Sequence, residues 1–161
     1  CLVFAAGLAS CGKAGKTTSG TTATSYAYDV AVTFTPAAVA ALQKARVGAV
    51  VDAGYSGAPS AAFKDKANEA GEIELGQDVA NIDGHDQSVH LTGKGIVVDS
   101  LRAIEGAPSV EVRVYSDTSQ ANMLGCTTFK DAITVAEAKP VAIACDVAKA
   151  GGATTKGKTR K

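Results

Sequence analysis

The stretch Asn-Ile-Asp-Gly-His-Asp-Gln-Ser-Val-His, residues 81–90, holds both histidines of the chain together with Asp83 and Asp86. Imidazole and carboxylate side chains so close together suit a divalent transition metal. Asp83, His85, Asp86 and His90 are therefore the candidate metal ligands. The same residues also read as turn chemistry between two strands, with Gly84 available for a positive φ. His90 sits between Val89 and Leu91 and shares its face with Ser88 and Thr92. If the strand extends back, His85 and His90 fall on opposite faces, because side chains alternate along a strand. A solvated hairpin is the favoured reading, metal binding is its alternative, and no cofactor is assigned.

Other catalytic patterns fail on spacing. Gly54-Tyr55-Ser56-Gly57 lacks the Gly-x-Ser-x-Gly arrangement of a nucleophile elbow. Ser56, His85 and Asp86 assemble into a triad only on paper, as in any chain holding these residue types. Glu72 and Glu74 lie two apart on a strand, hence on one face rather than across a cleft. Gly12-Lys13-Ala14-Gly15-Lys16-Thr17 imitates a phosphate-binding loop, but Ser10 stands where that motif requires its first glycine. Neither Cys126 nor Cys145 has a histidine near it in sequence, and both read as buried. No catalytic residue is assigned, and binding or assembly is the expected kind of role.

Short alternating strands must position these residues. From Tyr26 to Phe34 apolar and small or polar residues alternate with period two, the mark of a strand with one buried face. Thr35-Pro36 then supplies an N-cap and a first-turn proline for a short helix near 36–45, with Val39 and Leu42 inward. A second strand surrounds Val50 and Val51. Residues 53–71 read as a long connection with one helical turn around 61–67. Gly-Glu-Ile-Glu-Leu-Gly, Ser-Val-His-Leu-Thr-Gly, Ser-Val-Glu-Val-Arg-Val-Tyr-Ser, Asp-Ala-Ile-Thr-Val-Ala-Glu-Ala and Pro-Val-Ala-Ile-Ala-Cys-Asp-Val follow as further strands, bounded by turn residues. Ile73, Leu75, Val89, Leu91, Val110 to Val114, Val141 and Ile143 are their expected inward positions. So many strands with so little helix predict an all-β fold, an antiparallel β-sandwich of Greek-key, immunoglobulin-like or transthyretin-like type.

Two cysteines belong to this folded part. Cys145 shares parity with Val141 and Ile143, and Cys126 with Leu124, so both face inward, 19 residues apart. They are the expected disulfide, which suits an oxidising compartment.

The chain begins with an apolar run, Cys1 to Ala9, too short for a membrane helix but of the length of a signal-peptide apolar region. It continues through Leu8-Ala9-Ser10-Cys11, which resembles the lipobox of bacterial lipoproteins. That resemblance implies cleavage before Cys11, lipidation of Cys11, and residues 1–10 as the remnant of a signal peptide. No basic segment precedes Cys1, so the sequence is expected to start inside that peptide. Residues 11–25, rich in Gly, Ser, Thr, Ala and Lys, read as the lipidated cysteine and its tether. Gly12 rather than Asp follows the cysteine, which by the same resemblance suits the outer membrane of a two-membrane host.

Charge and composition narrow the partners. The 161 residues carry no formal net charge, yet residues 26–148 hold nine basic residues against all sixteen acids. An acidic domain repels phosphate, which argues against nucleic acid. The scarcity of aromatics and the absence of Trp argue against stacking platforms for sugars or bases. Residues 149–161 form a basic tail that could touch anionic envelope polymers. The expected protein is thus a lipid-anchored module of the bacterial cell envelope, its β-sandwich at 26–148 in the periplasm or at the cell surface. Its partners are the membrane, through the lipid, and another envelope protein or polymer. Loops 54–70, 81–88 and 115–123 are the candidate contact surfaces. The alternatives are an exported enzyme or metal-binding protein built on the 83–90 loop, and a structural subunit that assembles through an edge strand.

Overall fold

The computed structural model describes residues 25–149. The expected signal remnant at 1–10, Cys11, the tether up to residue 24 and the tail beyond Lys149 lie outside these residues.

Eight strands form two four-stranded sheets around one hydrophobic core, a mostly β, sandwich-like arrangement. They are β1 (Tyr28–Phe34), β2 (Ala49–Pro59), β3 (Ile73–Ile82), β4 (Gln87–Leu91), β5 (Ile104–Ser116), β6 (Leu124–Cys126), β7 (Phe129–Ala132) and β8 (Val141–Val147). The first sheet has the order β4-β1-β8-β6 and the second β3-β2-β5-β7. Period-two burial builds both inner faces: Tyr28, Val30, Val32 and Phe34 from β1 meet Val51, Ala53 and Tyr55 from β2 in a single cluster. The expected inward positions Ile73, Leu75, Leu91, Val110, Val112, Val114, Val141 and Ile143 are buried. Val89 is half-buried, as its place on the edge strand β4 allows.

The first sheet departs from a purely antiparallel pattern. β1 and β8 run parallel, Val30 opposite Val141 and Phe34 opposite Cys145. The first helix, α1 (Pro36–Ala45), carries the chain from β1 to the second sheet. Thr35 caps it by accepting from the Ala38 amide at 3.2 Å, and Ala38 and Leu42 pack inward, with Val39 half-buried beside them.

Two segments differ from the sequence reading. Gly54 to Pro59, read as connection, continues β2 between β3 and β5, because burial on a central strand overrides the turn bias of Gly, Ser and Pro. Asp131 to Ala138 is not one strand. β7 ends at Ala132 and a short helix, α2 (Ile133–Ala138), follows, with Ile133 and Ala136 buried at helical spacing. The 3-10 turns at Ala61–Lys66, in the place expected, and at Val98–Ala103 complete the fold.

Candidate functional site

The polar constellation at 81–90 is spread in three directions. Asp86 turns toward the end of β1, where its Oδ1 accepts the Phe34 amide at 2.7 Å. His90 lies on the exposed face of β4, its Nδ1 2.8 Å from Asp29 Oδ1 on the neighbouring strand. Asp83 and His85 line a cavity of about 230 Å³ with Gln43 and Arg46 at the end of α1, and His85 Nε2 is 3.5 Å from Gln43 Nε2. Gly84 packs so close to Leu42 that a Cβ there would meet the leucine side chain at 2.6 Å. The loop therefore closes the end of the core over α1. Among the described residues no group of three or more His, Cys, Asp or Glu could hold a metal ion. Ser56 is likewise engaged elsewhere, donating to Glu72 Oε2 at 2.9 Å, and Lys130 completes that cluster at 3.2 Å from Glu72 Oε1. The Ser56 bond, then Lys130, hold the Glu72 carboxyl below the usual carboxylate range.

A part-buried polar chain crosses the two sheets. Tyr55 on β2 donates its hydroxyl to Asp78 Oδ2 on β3 at 3.0 Å, which leaves the Tyr55 oxygen to receive Tyr28 from the facing sheet at 3.4 Å. Asp78 also accepts the Gly93 amide at 2.8 Å and the Gly95 amide at 2.7 Å. Burial pushes the Tyr28 hydroxyl up to about 12 and raises Tyr55 further. Period two would have placed Asp78 outside. A β-bulge reverses it: Tyr55 pairs with Gly76 and Ser56 with Glu74, so Leu75 is the extra residue and inward parity shifts from odd to even numbers. Gly76, at φ +122, makes the bulge, and its missing Cβ leaves room for the Gly95 carbonyl.

The larger cavity, about 990 Å³, opens beside the stretch 115–126 and is lined from both sheets, by Asp52, Arg113 and Tyr115 on one side and Gly125, Cys126 and Asp146 on the other. Three devices fix its walls. Cys126 and Cys145 form a disulfide between β6 and β8, at paired positions with Cα atoms 4.0 Å apart. Asn122 ties the loop: its Oδ1 accepts the Ser116 amide and hydroxyl and the Leu124 amide, at 2.9, 3.0 and 3.1 Å, while its Nδ2 donates to the Leu124 carbonyl at 2.9 Å. Asp146 Oδ1 accepts the Thr35 hydroxyl and the Val147 amide, both at 2.7 Å. The Thr35 bond and then the amide keep its carboxyl low.

The polar groups of the cavity are unevenly satisfied. Arg113 stands opposite Asp52 across β5 and β2 and reaches its Oδ2 at 3.3 Å, with Glu111 3.8 Å away on the other side. Asp52 Oδ1 is sealed from solvent and has no hydrogen-bond partner among the described residues. Burial, then the Asp52 charge, raises the Tyr115 hydroxyl, which therefore stays a neutral donor. Tyr115 and Val147 are each more than a third exposed at the cavity.

The wall also includes unused backbone. β2 pairs with β5 as far as Ser116, but β7 covers the other side of β5 only from Ser109 to Val112. The chain before Phe129 leaves for the first sheet, where the Thr127 amide donates to the Ala144 carbonyl at 2.9 Å. Sequence reading flagged residues 115–126 as a polar loop. It missed Asp52, whose partner lies 61 residues away, and it gave Asn122 no role. No protein-family model, curated protein or solved structure matches the chain.

Proposed function

We propose that the protein is a lipid-anchored binding module of the bacterial envelope, held by acyl chains on Cys11 and acting without catalysis through the large cavity beside residues 115–126. The supporting observation is that cavity itself: a sizeable concavity, mostly apolar with polar groups set among the lining, whose walls are fixed by a disulfide and by Asn122. A pre-organised concave surface costs less ordering when a ligand binds. The disulfide also suits export to an oxidising compartment. In this reading the fold is a Greek-key sandwich of immunoglobulin-like or transthyretin-like kind, the stretch before Tyr26 gives the domain reach from its membrane, and Gly12 after Cys11 directs it to the outer membrane of a two-membrane host. The partner is another envelope protein or polymer.

Mass spectrometry of the native protein from its host membranes tests the anchor. The expected species begins at Cys11 and carries acyl groups. A chain that retains residues 1–10 without lipid would overturn the reading.

A further inference from the structure

We propose that the cavity takes an extended polypeptide segment, added as a short strand beside Val114, with a lysine or arginine of that segment directed across Tyr115 toward Asp52. This rests on the binding-module reading above and names its ligand class.

The main-chain slot follows from hydrogen-bond phase. The Asp117 amide donates to the Gly48 carbonyl on the β2 side at 3.0 Å, whereas the Ser116 amide donates to Asn122 on the opposite side at 2.9 Å. Along an antiparallel strand these directions alternate. Val114 therefore presents its N–H and C=O to the side that β7 covers only as far as Val112. Across the cavity Cys126 does the same from the first sheet. The flanking bonds to β8 run through Thr127 with Ala144 and Met123 with Ala148, which leaves the groups of Cys126 facing away from β8. Asn122 already fills the neighbouring positions at Ser116 and Leu124 with its side-chain amide, as a strand would. A polypeptide offers the matching donors and acceptors at the positions left open.

Charge selects the segment. Asp52 and Asp146 line the cavity and Asp117 acts on its rim, against Arg113 and Lys149, while Glu111 beside them is offset by Lys130. Arg113 is already shared between Asp52 and Glu111, so the uncompensated charge is negative. On an added strand the residue opposite Val114 turns its side chain inward, toward Leu124 and the disulfide. The residue next to it turns outward, beside Tyr115. A cation there lies over a neutral phenol ring, on the side of the Asp52 carboxylate, whose Oδ2 it would share with Arg113.

The test is a nuclear magnetic resonance titration of the full chain with acetyl-Thr-Val-Lys-Val-Thr-amide and with the same peptide carrying Glu for Lys. The lysine peptide should shift the Val114, Tyr115 and Cys126 amides and slow exchange at Val114, and bind about tenfold or more tightly than the glutamate peptide. Asp52→Asn should remove most of that preference by weakening the lysine peptide and not the glutamate peptide. N-methylation of the peptide valine that pairs with Val114 should abolish binding to the unaltered protein, which tests the strand without a protein variant. Equal binding of both peptides, shifts confined to other surfaces, or no shift at millimolar peptide would overturn the proposal. So would a Val114 amide already slow in the free chain and released when Lys156, Lys158, Arg160 and Lys161 are changed to Gln, since the occupant would then be the chain's own tail. Concentration-dependent dimers giving the same shifts would instead identify a second copy. Failure of the peptide with acylated Cys11 in the native protein removes this ligand and leaves the anchor. Binding without acylation does the reverse.

Discussion

The second sheet carries two aspartates with opposite fates. Asp78 faces inward from β3 and its carboxylate accepts from Tyr55, Gly93 and Gly95, within 3.0 Å in each case. Asp52 faces the cavity from β2, one oxygen 3.3 Å from Arg113 and the other without a partner among the described residues. A buried carboxylate is tolerable only when its hydrogen-bonding capacity is used. Asp78 meets that condition and joins the turn at 93–95 to both sheets. Asp52 does not, although the residue lines a cavity that a ligand can enter. The contrast separates a carboxylate that holds the fold from one open to function.

The contrast predicts unequal responses to one substitution. Asp78→Asn places an amide N–H where an acceptor is needed, and leaves part-buried donors from Tyr55, Gly93 or Gly95 without a partner. A cost of about 3 kcal/mol or more is expected, since each orphaned donor forfeits its desolvation. Urea unfolding of the two proteins at neutral pH measures it. A loss under about 1 kcal/mol would remove Asp78 from its structural role.

The next effect lies at the cavity. The disulfide closes a loop with a sequence separation of 19, and opening it should cost about 2 to 3 kcal/mol by restoring freedom to the unfolded chain. Cys126→Ser with Cys145→Ser, compared with the parent by thermal unfolding, gives the value. Amide exchange should quicken across β6 and residues 117–122 while the Asp78 turn stays protected. Equal loosening at both places would mean that the two regions do not act separately.

How far this division is legible in the sequence depends on the residue. Period two along Tyr28–Phe34, Val110–Val114 and Val141–Cys145 locates three strands and the inner face, and the shared inward parity of Cys126 and Cys145 marks them as the candidate pair that the fold then joins. The capped helix at Pro36 is legible because Thr and Pro act on their immediate neighbours. Asp78 is not, because a bulge at Gly76 reverses parity, and one extra residue in a strand leaves no mark on composition. α2 is hidden by a segment whose apolar residues fit either period over six residues. The parallel pairing of β1 with β8 joins residues more than a hundred positions apart, beyond any local signal. At the site, residues 115–126 stand out as polar and unpatterned. The gap beside Val114 exists because β7 begins only at Phe129, a property of pairing rather than of residue type.

Alkali offers a third way to separate the regions. Tyr28 belongs to the Asp78 chain and its hydroxyl is pushed from 10.0 to about 12, chiefly by burial. The unfolded tyrosine ionises near 10, so its contribution to stability is complete below that pH and is lost as pH rises from 10 through 12. The loss should reach about 2 kcal/mol, with Tyr55 adding in the same direction. Urea midpoints between pH 9 and 12 should fall less steeply in Tyr28→Phe than in the parent, about half as steeply where the two tyrosines contribute alike. An unchanged slope would uncouple Tyr28 from the interior chain. Tyr115, raised as well but exposed at the cavity, should change the slope in the same direction and by less than Tyr28 when changed to Phe.

The smallest effect is the most discriminating. Asp52→Asn removes the partner of Arg113, but that guanidinium is 55% exposed, 3.3 Å away and still close to Glu111. Exposed pairs of this geometry contribute about 0 to 1 kcal/mol. The substitution also replaces a buried charged oxygen that lacks a donor by a neutral group, which offsets part of even that loss. Stability should therefore change by less than about 1 kcal/mol in either direction, in the same urea assay that registers Asp78→Asn as severe. A cost comparable to that of Asp78→Asn would make Asp52 a second structural carboxylate and end the distinction between them. A negligible cost combined with lost preference for a cationic peptide would show a group kept in the fold for what it binds.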